Sequence, residues 1–121
     1  MRYSDQICVR YQHAMEIIGK RWTGLILKVL IDRPLRFNEL ADRLQVVSDR
    51  MLSERLKELE SAGVIERRVL PETPVRVEYR LTAKGVALGP VVEAIAEWST
   101  MWCEQAAQPD HDCSAVLEEA M

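Results

Sequence analysis

The chain has little of what marks an exported, membrane-bound or metal-built protein. Its 121 residues include three cysteines, two histidines and one phenylalanine. Cys8, Cys103 and Cys113 are too irregularly spaced for a disulfide framework, and free thiols suit a reducing cytosol. No apolar run approaches the roughly 20 residues of a membrane span. The opening MRYSDQICVR lacks the apolar core of a signal peptide, so a cytoplasmic location with no membrane partner is expected. His111 and Cys113, in DHDCS, are two ligands where a closed zinc site needs more, so no metal site is expected. His13 reads as an ordinary helix residue. No Ser/His/Asp set and no phosphate-cradling glycine loop can be argued, so neither catalysis nor a cofactor is expected.

What is present is a globular composition, 48% apolar and 29% charged, sized for one domain with a modest core. The net charge of −3 argues against nucleic acid if taken for the whole chain. It is unevenly spread, however. Glu104, Asp110, Asp112, Glu118 and Glu119 give residues 104–121 a charge of −5, with no lysine or arginine among them. Without those five acids, 16 bases face 14 acids, leaving the body at +2. Such a body can present a basic face if its acids lie elsewhere. A folded unit over residues 1–107 and a flexible acidic tail over 108–121 are expected.

Apolar spacing reads mostly as helix. Residues 11–18 form a short amphipathic helix with Ala14, Ile17 and Ile18 on one side, and Gly19 interrupts it. A second helix runs from Trp22 to about Ile31, and Pro34 closes it off. Leu35-Arg36 reads as a single-bridge strand. Residues 37–44 form another short helix, burying Phe37, Leu40, Ala41 and Leu44.

Ser48 then stands as an N-cap, with Val47 and Leu52 placed as a hydrophobic staple and Asp49 in the first turn. Met51, Leu52, Leu56 and Leu59 make an apolar stripe, and Gly63 suits a left-handed helix terminus. VIERRVL and VRVEYRL follow as a hairpin through PETP, with Val75, Val77, Tyr79 and Leu81 on one face. Thr82 caps a final long helix divided at Pro90, whose later part carries Val91, Ile95, Trp98 and Trp102.

Two short helices, a hairpin and flanking long helices describe a mainly α, winged helix-turn-helix fold with a minor β part. In that arrangement one helix enters the major groove and the hairpin reaches the flanking backbone. At about 100° per residue, the face opposite Leu52 holds Arg50, Ser53, Glu54, Lys57 and Ser61. With the cap Ser48, the first four are the candidate recognition-helix contacts to bases or phosphates. Glu54 suits a cytosine amine or a neighbouring cation. Arg55 lies near the buried edge, as well placed for a structural role as for DNA. On the hairpin, Arg76 lies nearest the tip, and Arg67, Arg68 and Arg80 flank it as phosphate-facing candidates. The competing reading of the charged helix is a solvated face with pairs such as Arg50–Glu54.

The blocks IIGKRWTGLILKVL, PLRFNELADRL, SDRMLSERLKELESAGVIERRV and PETPVRVEYRLTAKGVAL, with Trp98, resemble the HxlR-type winged-helix regulators, relatives of the MarR group. The resemblance runs from Cys8 to about Trp102. It implies a cytoplasmic homodimer that binds a pseudo-palindromic double-stranded operator. Repression is expected over activation, because a small dimer without an activation surface most readily works by occlusion. It also implies dimerisation through the first and last helices, where Tyr11, Met15, Ile95, Trp98, Met101 and Trp102 stand. The family's frequent Cys-Pro near the N-terminus is here Cys8-Val9, so the thiol is kept and the proline lost.

Several readings stay open beside these. Cys8 is either a small buried hydrophobe or a sensor of oxidants, electrophiles or another small effector, with Arg2 and Arg10 favouring a thiolate if the fold brings them near. Trp98 and Trp102 belong to the core, to a dimer interface or to an effector pocket. A protein-interaction module without DNA binding is the alternative function.

Overall fold

A computed structural model describes residues 5–103, so the acidic tail, its proposed boundary, Arg2 and the His111–Cys113 pair lie outside the described residues. Six helices and a two-stranded sheet follow in order: α1 (Asp5–Ile18), α2 (Thr23–Leu30), α3 (Phe37–Arg43), α4 (Asp49–Ser61), β1 (Ile65–Leu70), β2 (Arg76–Leu81), α5 (Ala83–Ala87) and α6 (Gly89–Trp102). The first helix begins well before residue 11. Residues 5–10 contain no glycine or proline to stop it, and Cys8 and Val9 are exposed, so no core-facing periodicity announces this turn. Ala14 is exposed as well, leaving Ile17 and Ile18 as the α1 residues packed on the core.

Trp22 lies just outside α2, as its N-cap, with φ of +76°. A left-handed backbone costs an L-residue about 1–2 kcal/mol. The Trp22 ring offsets this by packing against the core, and the Arg21 guanidinium stacks 4.4 Å from its centroid. The α3 start is held by Glu39, whose Oε1 accepts from the Arg36 amide at 2.9 Å. Arginine has no side-chain acceptor, so only this half of a capping box forms. Leu35 makes the expected single bridge, exchanging two hydrogen bonds with Tyr79 at 3.0 and 2.8 Å.

The sequence signals around α4 are realised closely. Ser48 Oγ accepts from the Met51 amide at 3.1 Å, while Val47 and Leu52 are both buried at the same end. At the other end Gly63 takes φ of +77°. Its amide donates to the Glu60 carbonyl at 3.0 Å, and the Val64 amide donates to Leu59 at 2.9 Å, which is a Schellman closure. Leu52, Leu56 and Leu59 point into the core beside Ile26, Leu27, Leu30, Leu40 and Leu44. Full burial of each such side chain stabilises by about 1.5–3 kcal/mol. Met51, Phe37 and Ala41 are half-buried at the core's edge.

The strands pair antiparallel from Ile65 opposite Leu81 to Leu70 opposite Arg76, and Val75 lies outside the ladder in the exposed connection. Thr82 then caps α5, accepting from the Gly85 amide at 3.2 Å. Pro90 stands in the first turn of α6, where its missing amide costs nothing, so the expected division of the last helix is real.

The end of α4 is fastened from this second junction. Thr82 Oγ1 donates to the Gly63 carbonyl at 2.6 Å, with the Val64 carbonyl 3.1 Å away. The Thr82 amide donates to Val64 at 3.1 Å, and Lys84 Nζ donates to the Ala62 carbonyl at 2.7 Å. Gly85 is buried against this joint, and a Cβ there would collide with the Val64 carbonyl oxygen. The Gly85→Ala protein is therefore expected to lose about 1–3 kcal/mol by overpacking, read as a lower midpoint in chemical denaturation.

Candidate nucleic-acid interface

Because Leu52, Leu56 and Leu59 turn inward, helical geometry forces Arg50, Glu54 and Lys57 outward, and all three are exposed. Ser53 is half-buried beside them. Arg50, 91% exposed, leans toward Glu54 with Nε 3.9 Å from Oε1. So open a pair holds little energy and leaves the guanidinium able to turn to another acceptor. Lys57 has no ion-pair partner among the described residues. Ser48 is exposed at the helix start, and its hydroxyl, already accepting one amide, keeps its hydrogen to donate.

Arg55 behaves differently. Its side chain is only 14% exposed; Nε donates to the Arg21 carbonyl at 2.9 Å, and one terminal nitrogen meets Glu58 Oε1 at 2.9 Å. Of the two roles open to it in sequence, the structure gives it the structural one. The other Glu58 oxygen meets Lys20 Nζ at 2.9 Å. That Lys20 hydrogen bond, joined by the Arg55 charge and opposed by partial desolvation, holds the Glu58 carboxyl below its usual range. Glu39 is likewise lowered, first by the Arg36 amide and then by the Arg33 and Arg36 charges against desolvation.

On the wing, strand alternation separates the four arginines. Arg68, Arg76 and Arg80 share a face with Glu66 and Glu78, while Arg67 falls on the other face with Val69, Val77 and Tyr79. Adjacent strand residues always part this way, so the period of two was signal enough to split Arg67 from Arg68. Two of the three on the charged face are engaged. Arg80 Nε bonds Glu66, and Arg76 lies 3.6 Å from Glu72 and 3.9 Å from Glu78. Arg67 and Arg68 are exposed and form no ion pair among the described residues.

A second surface is apolar. Tyr11 and Met15 on α1, and Ile95, Trp98, Met101 and Trp102 on α6, are all exposed. Trp98 at 60% and Trp102 at 67% exposure are not core residues of this chain. Val9 and Val91, which the family resemblance did not single out, add to the same exposed apolar set. A Lys28–Glu93 pair at 2.9 Å ties α6 to α2. Cys8 is exposed on α1, not buried as a small hydrophobe. Arg10 lies two residues along the helix, and side chains so spaced do not face each other. No helix is long and apolar enough to cross a membrane, and no group of three metal-ligating side chains occurs, both among the described residues.

Residues 17–107 match the family profile described as HxlR-like helix-turn-helix. The chain is 48% identical over 100 residues to the HTH-type transcriptional regulator YodB of Bacillus subtilis (strain 168), covering 83% of this chain and 89% of that protein. The structure of the reduced form of YodB from B. subtilis superposes with a TM-score of 0.72 at 44% identity, covering 86% and 98% of the two chains. The redox regulator HypR in its oxidized form superposes with a TM-score of 0.72 at 35% identity, covering 76% and 95%.

The lowered carboxylates make stability depend on acid. A group whose folded pKa lies below its unfolded value stabilises the fold above the unfolded pKa, and that contribution is lost as pH falls through the folded one. For Glu39 and Glu58 the loss begins near the ordinary value of 4.5 and proceeds below it. Denaturation midpoints from pH 7 to pH 3 are expected to fall less steeply for Glu39→Gln and for Glu58→Gln than for wild type. Parallel curves would show that neither pair contributes.

Proposed function

The chain belongs to the HxlR-like helix-turn-helix family and is a DNA-binding transcriptional regulator; from that premise we propose that it represses transcription by occupying a pseudo-palindromic operator as a homodimer. The observation that carries this is the outward face of α4. Arg50 and Lys57 stand exposed on a helix braced from behind by its own leucines, beside a wing whose exposed Arg68 forms no ion pair among the described residues. Arg50 has the reach and fork to read a guanine edge in the major groove, and Ser48, Ser53 and Lys57 suit phosphates or bases. Glu54 either accepts from a cytosine amine or orients Arg50. Arg68 and Arg76 serve the flanking phosphates, with Arg80 held to Glu66 and Arg67 approaching from the other face of the wing.

The homodimer is supported by the apolar stripes of α1 and α6, which no part of this chain covers among the described residues. Two copies joined there carry recognition helices about one DNA turn apart, roughly 34 Å. The exposed thiol of Cys8 lies on α1, so its modification alters a dimerisation helix and shifts the population away from the competent spacing. The reported redox forms of YodB and HypR are in keeping with such a switch. A DNA-bound regulator of this kind works in the cytoplasm and needs no cofactor or catalytic step.

Titration of the wild-type protein against the promoter DNA beside its own gene is expected to show the logarithm of the affinity falling linearly with log salt, with a slope of about 0.9 per phosphate neutralised. Arg50→Ala and Lys57→Ala should each weaken binding, and a phosphate-contacting residue reduces that slope by about 1. A folded dimer that binds no DNA at low salt would sink the proposal. For the switch, a thiol oxidant or a quinone should release wild type from this DNA and leave Cys8→Ser bound; equal release of both would remove Cys8 from the mechanism.

A further inference from the structure

 

The ends of α1 and α4 are separated by a cleft of about 380 Å³ lined by His13, Glu16, Ile17, Lys20, Glu58 and Leu59. Ile17 and Ile18 are the only apolar α1 side chains packed on the core among the described residues, and apolar packing has no directional preference of its own. What spans the cleft is directional. Lys20 Nζ meets Glu58 Oε2 at 2.9 Å, Arg55 meets Glu58 Oε1 at 2.9 Å, and Arg55 Nε donates to the Arg21 carbonyl at 2.9 Å. Both carboxylate oxygens are thus used, and the Arg55 guanidinium bridges Glu58 and the turn between α1 and α2. That turn is itself stiffened by the left-handed Trp22 and the Arg21 stacked on it.

We propose that Glu58 and Arg55 are positioning residues for operator recognition: with Lys20 and the Arg21 carbonyl, they fix the orientation of α4 relative to α1. In the dimer, that orientation sets the distance between the two recognition helices and hence the half-site spacing the protein selects. The inference rests on the operator-binding dimer proposed above. It assigns Glu58 an effect opposite in sign to simple electrostatics. Removing an acid from a DNA-binding helix should strengthen binding through weaker repulsion of phosphate, whereas removing a positioning carboxylate weakens it.

The test compares wild type, Glu58→Gln and Arg55→Gln on operators whose half-sites are moved apart or together by one base pair. Wild type is expected to prefer one spacing. Both variants should bind that operator about 2- to 30-fold more weakly, discriminate less between spacings, and keep the wild-type salt slope, since neither residue neutralises phosphate. Glu58→Gln is the milder change at a half-exposed site, and thermal denaturation at pH 7 checks that each variant is folded. Tighter or unchanged binding by Glu58→Gln, with wild-type spacing preference, overturns the inference while leaving operator binding intact. A salt slope reduced by about 1 in Arg55→Gln also overturns it, because Arg55 would then be a phosphate contact. Failure of wild type to bind any of these operators overturns both readings together.

Discussion

The structure depends on how one helix ends. At the C-terminus of α4 three successive carbonyls, those of Ala62, Gly63 and Val64, must find donors, and Thr82 and Lys84 supply them from the far end of the hairpin. A helix terminus leaves its last carbonyls without partners inside the helix, which is the case for the C-cap Ala62, and the two residues that follow carry the chain toward β1. Here the demand is met by the segment that closes the wing. The α4 helix and the hairpin are therefore joined at both the start of β1 and the end of β2, and Gly85 is needed because the two backbones approach too closely for a side chain.

The distribution of acid over this frame explains how a chain of net charge −3 can serve a polyanion. Several of the body's carboxylates stand beside particular cations: Glu58 with Lys20 and Arg55, Glu39 with Arg33 and Arg36, Glu66 with Arg80, Glu93 with Lys28. Those pairs shape the fold and remove their cations from the count available to DNA. Among the described cations that form no ion pair, Lys57 lies on the outer face of α4 and Arg67 and Arg68 lie on the wing. Position, more than the total, decides what the surface can meet.

Much of this was legible in the sequence, and the legible parts are local. The Ser48 cap, the Gly63 terminus, the Pro90 division and the Leu52–Leu56–Leu59 stripe each follow from residues within a turn or two of one another. The family blocks added the order of the elements. The early start of α1 was hidden because the helix from Cys8 to Glu16 is exposed and so carries no periodic apolar signal. The commitment of Arg55 was open because its partner, the Arg21 carbonyl, lies 34 residues away. The split between Arg67 and Arg68 was local and readable, since alternation along a strand is strict; grouping the wing arginines by charge alone obscured it. The left-handed Trp22 has no local cause in the sequence, as the residue type argues against that backbone.

The placement of the tryptophans has an optical consequence. They occupy two distinct places: Trp22 in the turn beneath the Arg21 guanidinium, and Trp98 and Trp102 on the open face of α6. Burial of an indole changes the polarity around it and so shifts its emission to shorter wavelength. Association through α6 would dry two of these rings at once, while loosening of the α1–α2 turn would wet the third. The molecule thus carries intrinsic fluorophores at its two mechanically informative places, and its emission spectrum reports assembly and turn opening without an added label.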